Sequence, residues 1–97
     1  MSSRRHHLIT YDVADDKRRK RIFEGLKGVG DHAQYSVFFA DLNPRELAEL
    51  RAKLDGWVHH DEDQVLIADL GPAHHPLDAG LEAIGRAWDP PVRCLVV

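Results

Sequence analysis

Residues 32–42 read His32-Ala33-Gln34-Tyr35-Ser36-Val37-Phe38-Phe39-Ala40-Asp41-Leu42 (HAQYSVFFADL). The run is apolar, aromatic and β-branched, and it is long for one strand, whose usual length is about 5–6 residues. It reads either as a single strand or as two short strands bent around Tyr35 and Ser36. Periodicity alone does not separate the two, and the architecture turns on the choice.

On the N-terminal side, His7–Val13 (HLITYDV) is short and rich in β-formers, which predicts a strand. Asp15 and Asp16 then supply an N-cap and first-turn negative charge for a helix running to about Lys27. Ile22, Phe23, Leu26 and Val29 recur at helical spacing and predict its buried stripe. Gly28 and Gly30 are expected to end it through glycine's ease at positive φ. On the C-terminal side, Asn43 can cap a second helix, with Pro44 at its first position and Glu46 reaching back to the Asn43 amide. Leu47, Leu50 and Leu54 form its inner face and Gly56 stops it. Asp61, Glu62 and Asp63 read as an exposed acidic turn before another strand, Gln64–Leu70 (QVLIADL).

The order is strand, helix, one or two strands, helix, strand, so the domain is α/β or α+β. One strand over residues 32–42 gives a small parallel sheet; two give a split βαβ, ferredoxin-like arrangement. Beyond it, Leu77, Leu81, Ile84 and Trp88 have helical spacing that Gly80 and Gly85 weaken. Pro90-Pro91 precede a strand-like run, Val92–Val97.

The 97 residues hold one domain, whose thin stability margin a partner subunit would help. A net charge of −3 argues, taken alone, against a nucleic-acid protein. The average hides a split. Residues 1–30 carry eight Lys/Arg against four acids, a sum of +4, whereas residues 31–97 carry five against twelve, a sum of −7. A basic face beside an acidic one gives a polyanion a place to sit. MSSRRHHLITYDV lacks the apolar core of a signal peptide, and no membrane-length apolar run occurs, so the expected location is the cytoplasm, with no membrane partner. Cys94 is the only cysteine, which excludes an internal disulfide and a cysteine-based zinc site.

Asp12 ends the first predicted strand just before a helix N-terminus, where ligands collect in open sheets and free N–H groups meet anions. A phosphate and a metal could meet there; equally, Asp12 could close a turn. Lys17-Arg18-Arg19-Lys20-Arg21 follow. Five adjacent cations repel one another, and phosphates would relieve that cost while counterions are released. Arg19 shares the stripe of Ile22 and Phe23 and should lie near Asp12, with Lys17, Lys20 and Arg21 turned to solvent. A solvated helix face is the plainer alternative. One carboxylate makes a poor metal site, and a two-fold dimer would offer a second Asp12. His6-His7, His59-His60 and His74-His75 lack a zinc-ligand spacing and read as surface residues. Tyr35, Phe38 and Phe39 could stack bases, but core packing is the stronger reading, with Phe38 the exception to watch.

TYDVADDKRRKRI, then HAQYSVFFADL, then the Asn-Pro-capped helix, together resemble the CRISPR-associated protein 2 family over about residues 7–71, and more loosely in the tail. The resemblance implies a ferredoxin-like βαββαβ sandwich with an antiparallel sheet and an extra C-terminal strand. It implies one domain over residues 1–97, with 77–97 packing on the partner of a homodimer. It further implies an Mg²⁺-dependent endonuclease, with Mn²⁺ the alternative ion, cleaving RNA or duplex DNA in spacer acquisition. Asp12 would be the catalytic metal ligand, facing its mate across the two-fold axis. Arg18, Arg19, Arg21 and His32 would bind nucleic acid, and Tyr11, Ser36 and Phe38 would lie beside the cleft. The implied partners are duplex DNA or RNA and the CRISPR integrase, protein 1 of the system.

One departure stands out. Relatives often carry an arginine just before Gln-Tyr-Ser-Val-Phe, whereas this chain has His32-Ala33, and histidine is mostly neutral at pH 7. A phosphate contact there would be weakened or pH-dependent. Two further readings stay open: a catalytically idle dimer that holds duplex spacer DNA and bridges integrase dimers, and a toxin-like ribonuclease.

Overall fold

The structure, a computed structural model, describes residues 3–88. The elements run β1 (Arg5–Asp12), α1 (Asp16–Lys27), β2 (Asp31–Gln34), β3 (Val37–Leu42), α2 (Pro44–Trp57) and β4 (Gln64–Pro72), followed by a short 3₁₀ turn, Leu77–Gly80. Residues 32–42 therefore form two strands with Tyr35 and Ser36 between them, the second of the two alternatives. The sheet order is β2-β3-β1-β4, and every neighbouring pair is antiparallel. Two split βαβ units interleave, which is the ferredoxin-like α+β topology.

Local chemistry accounts for the element ends. Asp15 caps α1 by accepting a 2.9 Å hydrogen bond from the Arg18 amide. Asn43 and Glu46 form a reciprocal capping box at α2, at 2.8 and 2.9 Å, with Pro44 at the first position, where its missing N–H costs nothing. The glycines that follow α1 work otherwise than expected. Gly28 keeps a helical φ of −73°, and neither it nor Gly30 has positive φ. Gly30 is needed for space instead: a Cβ there would stand 2.6 Å from the Phe39 carbonyl oxygen, so the chain entering β2 can cross close to β3.

Both helices cover one face of the sheet. Strand alternation sends His7, Ile9 and Tyr11 to that face, with His6, Leu8, Thr10 and Asp12 on the other. Ile9, Tyr11, Ile22, Leu26, Phe38, Ala40, Leu42, Leu50 and Leu54 make the core. Fully burying an aliphatic or aromatic side chain of this size contributes about 1.5–3 kcal/mol. His7 corrects the reading of the histidine pairs as surface residues: it takes a helix-facing position and is 3% exposed. His6, its neighbour on the opposite face, bonds the His75 carbonyl at 2.8 Å.

After β4 the chain turns across the second face of its own sheet, where Trp88 packs edge-on against Phe39 with ring centroids 5.4 Å apart. The helical spacing of Leu77 to Trp88 yields only the 3₁₀ turn, in keeping with the two glycines. The expected strand Val92–Val97 and Cys94 lie outside the described residues. Among the described residues, no helix is long and apolar enough to cross a membrane.

Candidate active site

Asp12 is the last residue of β1, exposed, and paired in register with Gln64 of β4. Its surroundings are fixed by its neighbours. Tyr11 is buried, and its amide donates to the Ser36 carbonyl at 3.1 Å. The Tyr11 hydroxyl donates to the Tyr35 carbonyl at 3.4 Å, and His32 Nε2 donates to the same carbonyl at 2.9 Å. Burial pushes the Tyr11 phenol above its ordinary range, with Arg19 opposing the shift. Tyr11 therefore ties the strand end that carries Asp12 to the turn between β2 and β3.

The loop that follows Asp12 is held from the other side. Arg19 Nη1 donates to the Val13 carbonyl at 3.0 Å, as its stripe position predicts, and Arg19 also pairs with Asp16. The Ala14 amide donates to Asp63 Oδ1 at 3.1 Å, and the His59 amide to Asp63 Oδ2 at 2.8 Å. Arg18 completes the arrangement by donating from Nε to Asp63 Oδ2 at 2.7 Å and from Nη2 to Glu62 at 3.0 Å. The Asp63 side chain has no exposed surface. A carboxylate taken out of water persists only when its lone pairs are satisfied, and Asp63 collects donors from α1, the β1–α1 loop and the loop after α2. The Arg18 hydrogen bond, with the two backbone amides, holds Asp63 far below the usual carboxylate range.

One expectation changes here: the acidic turn is not uniformly exposed, because Asp63 points inward. Arg18, expected to contact nucleic acid, has its guanidinium on Asp63 and Glu62, where it braces the Asp12 loop. Lys17, Lys20 and Arg21 are exposed and enter no ion pair among the described residues. Phe38 is fully buried, packed against Tyr11, Phe23 and His32, so it is a core residue and offers no ring to the cleft. Phe39 is 8% exposed; Tyr35, by contrast, is 96% exposed. His32 lies against Phe23 and Phe38, with centroids at 5.0 and 4.8 Å, and Ser36 is half-buried beneath the turn. Nothing in the local pattern marked Asp63; the one available signal was a run of three acids in a chain that also carries a run of five bases.

Of the acids near this point, Asp15 is used as a cap, Asp16 pairs with Arg19 and Asp63 is enclosed. Asp12 alone remains an acceptor-only group open to a ligand. Among the described residues no three His, Cys, Asp or Glu side chains cluster to hold a metal. An Mg²⁺ site takes one or two carboxylates, with waters and substrate phosphate oxygens filling the remainder. Asp12 fits that need as one donor, and no second free carboxylate stands beside it among the described residues.

The family model for CRISPR associated protein Cas2 matches residues 5–75. The chain is 41% identical over 81 residues to the CRISPR-associated endoribonuclease Cas2 of Thermus thermophilus, covering 84% of this chain and 77% of the relative. It is 34% identical over 91 residues to the Geobacter sulfurreducens protein of the same name, covering 94% and 95%. A crystal structure described as cas2 superposes with a TM-score of 0.72 at 30% identity, covering 97% of this chain and 100% of the other. Streptococcus pyogenes Cas2 shares the fold at a TM-score of 0.72 and 24% identity, covering 82% and 99%. With the match spanning the whole sheet, both helices and the Asp12 loop, this chain belongs to the CRISPR-associated protein Cas2 family.

Proposed function

We propose that the protein is a metal-dependent endonuclease that hydrolyses phosphodiester bonds of RNA or duplex DNA, working in the cytoplasm in CRISPR spacer acquisition. The observation that carries this reading is Asp12: an exposed strand-end carboxylate, with no side-chain partner among the described residues, on a loop braced from two sides and adjoining three outward cations. The relatives named endoribonucleases add support. The working unit is a homodimer in which a second copy of Asp12 completes the donor set. Mg²⁺, or Mn²⁺ in its place, supplies when bound a Lewis acid that polarises the scissile phosphate and lowers the pKa of the attacking water.

Each residue then has a defined task. Asp12 holds the ion. Tyr11 fixes the strand end, and Arg18 and Asp63 fix the loop, so the carboxylate is in place for the ion without reorganising. Arg21, with Lys17 and Lys20, takes backbone phosphates, and Arg19 reaches them on leaving Asp16. His32 secures the β2–β3 turn, and Ser36 lines its base.

A second reading is favoured by Asp12 standing as the one free carboxylate at this strand end among the described residues: a structural dimer that grips duplex spacer DNA through the same cations and bridges dimers of the CRISPR integrase. Asp12→Asn separates the two. A nuclease loses Mg²⁺-dependent cleavage of RNA and duplex DNA by at least about a hundredfold, while duplex affinity stays within about twofold. Equal cleavage by both proteins sinks the enzyme reading.

A further inference from the structure

We propose that Tyr35 is a stacking platform for an unpaired base of a single-stranded nucleic acid, presented beside Asp12 by the turn between β2 and β3. The proposal rests on the nucleic-acid reading above and adds to it a contact with a base, where the cations contact only backbone.

Gln34 pairs with Val37, so Tyr35-Ser36 is a two-residue hairpin loop. Such loops favour Asn, Asp and Gly, because their turns require positive φ. Here no non-glycine residue has positive φ, and a register shift between His32 and Gln34 absorbs the twist. Turn geometry therefore gives no reason for an aromatic residue at the tip. Packing gives none either: at 96%, Tyr35 is the most exposed large hydrophobic among the described residues.

The backbone beneath that ring is nevertheless held tightly. The Tyr35 carbonyl accepts from both the Tyr11 hydroxyl and His32 Nε2, and the Ser36 carbonyl accepts from the Tyr11 amide. A ring on a fixed backbone gives up only two side-chain torsions when it binds. The β1–β3 register pairs Thr10 with Val37, and the Tyr11 amide bonds the Ser36 carbonyl one step on, so the Tyr35 turn and Asp12, the residue after Tyr11, lie at the same end of the sheet. A nucleic-acid strand bound at that sheet end brings a neighbouring base within reach of the ring, provided that base is unpaired. Phe38 and Phe39 are buried and cannot take this part.

The test is fluorescence anisotropy of labelled single-stranded RNA, single-stranded DNA and duplex DNA against wild type, Tyr35→Ala, Tyr35→Phe and Arg21→Ala. Tyr35→Ala should weaken single-strand binding by about 5- to 100-fold, leave the salt slope unchanged and shift duplex affinity less than twofold. Tyr35→Phe should restore binding. A loss on RNA and DNA alike, or on RNA alone, supports the proposal, the latter marking a site that also reads the 2′-hydroxyl. Unchanged single-strand affinity overturns it, as does an equal loss on duplex accompanied by a smaller species in sedimentation, which would make Tyr35 a contact between copies. Arg21→Ala tells this failure from that of the underlying reading: if it lowers the salt slope while Tyr35→Ala changes nothing, the nucleic-acid reading stands and only the stacking contact falls. Wild type that binds none of the three probes removes both.

Discussion

Arg18 and Arg19 sit in the same run of five cations as Lys17, Lys20 and Arg21, yet the two groups have opposite fates. The first pair turns toward the sheet end and binds Asp63, Glu62, Asp16 and the Val13 carbonyl, whereas the other three stand in solvent. Helical rotation of about 100° per residue spreads the five around α1, and the partners each one meets then divide them: Arg18 faces Asp63 and Glu62 from the loop after α2, and Arg19 faces Asp16 and the Val13 carbonyl. A charge run is therefore not one functional patch. Its inward members build the loop behind Asp12, and its outward members are what a phosphate backbone meets.

A parallel contrast separates Phe38 from Tyr35, three residues apart, one with no exposed surface and the other nearly all exposed. The largest expected effect tests that pair. Phe38→Ala should destabilise the domain by about 3–5 kcal/mol in urea denaturation, as for other buried aromatics. Tyr35→Ala should leave the midpoint where it is. Equal losses would erase the distinction.

Next in size is the inward ion pair. Asp63→Asn should lower the urea midpoint clearly and make stability less sensitive to acid. Asp63 has a depressed folded pKa, so its contribution is present above its unfolded value near about 4 and is lost as pH falls toward the folded one. Asp69, held down by the Arg5 hydrogen bond, and Glu46, held down by the Asn43 amide, act in the same direction. The wild-type midpoint should thus fall steadily below about pH 4, and the Asp63→Asn midpoint should fall less. The same acid slope in both proteins would remove Asp63 from that role.

The smallest effects belong to the outward cations. Lys17→Ala, Lys20→Ala and Arg21→Ala should each reduce the slope of log affinity against log salt by about 0.7–0.9 and leave the urea midpoint unchanged. Arg18→Ala should do the reverse, lowering the midpoint with little change in slope. A slope change on Arg18→Ala as large as on Arg21→Ala would join the two groups again.

Much of this architecture is written in neighbouring residues. The caps at Asp15 and Asn43, the alternation along β1 and the placing of Asp12 at a strand end before a basic helix all follow from spacings of four residues or fewer. Local pattern could not tell one strand from two over residues 32–42; pairing did, because Val37–Leu42 binds β1 along its length while Asp31–Gln34 reaches only β3. Nor could it show that Arg18 and Asp63, 45 residues apart, would close on each other, that His7 would turn into the core, or that Phe38 would be spent on packing. Spacing along a chain sets which way a side chain points from its own element. What stands opposite it, and so whether a charge is free or consumed, exists only once distant elements have packed.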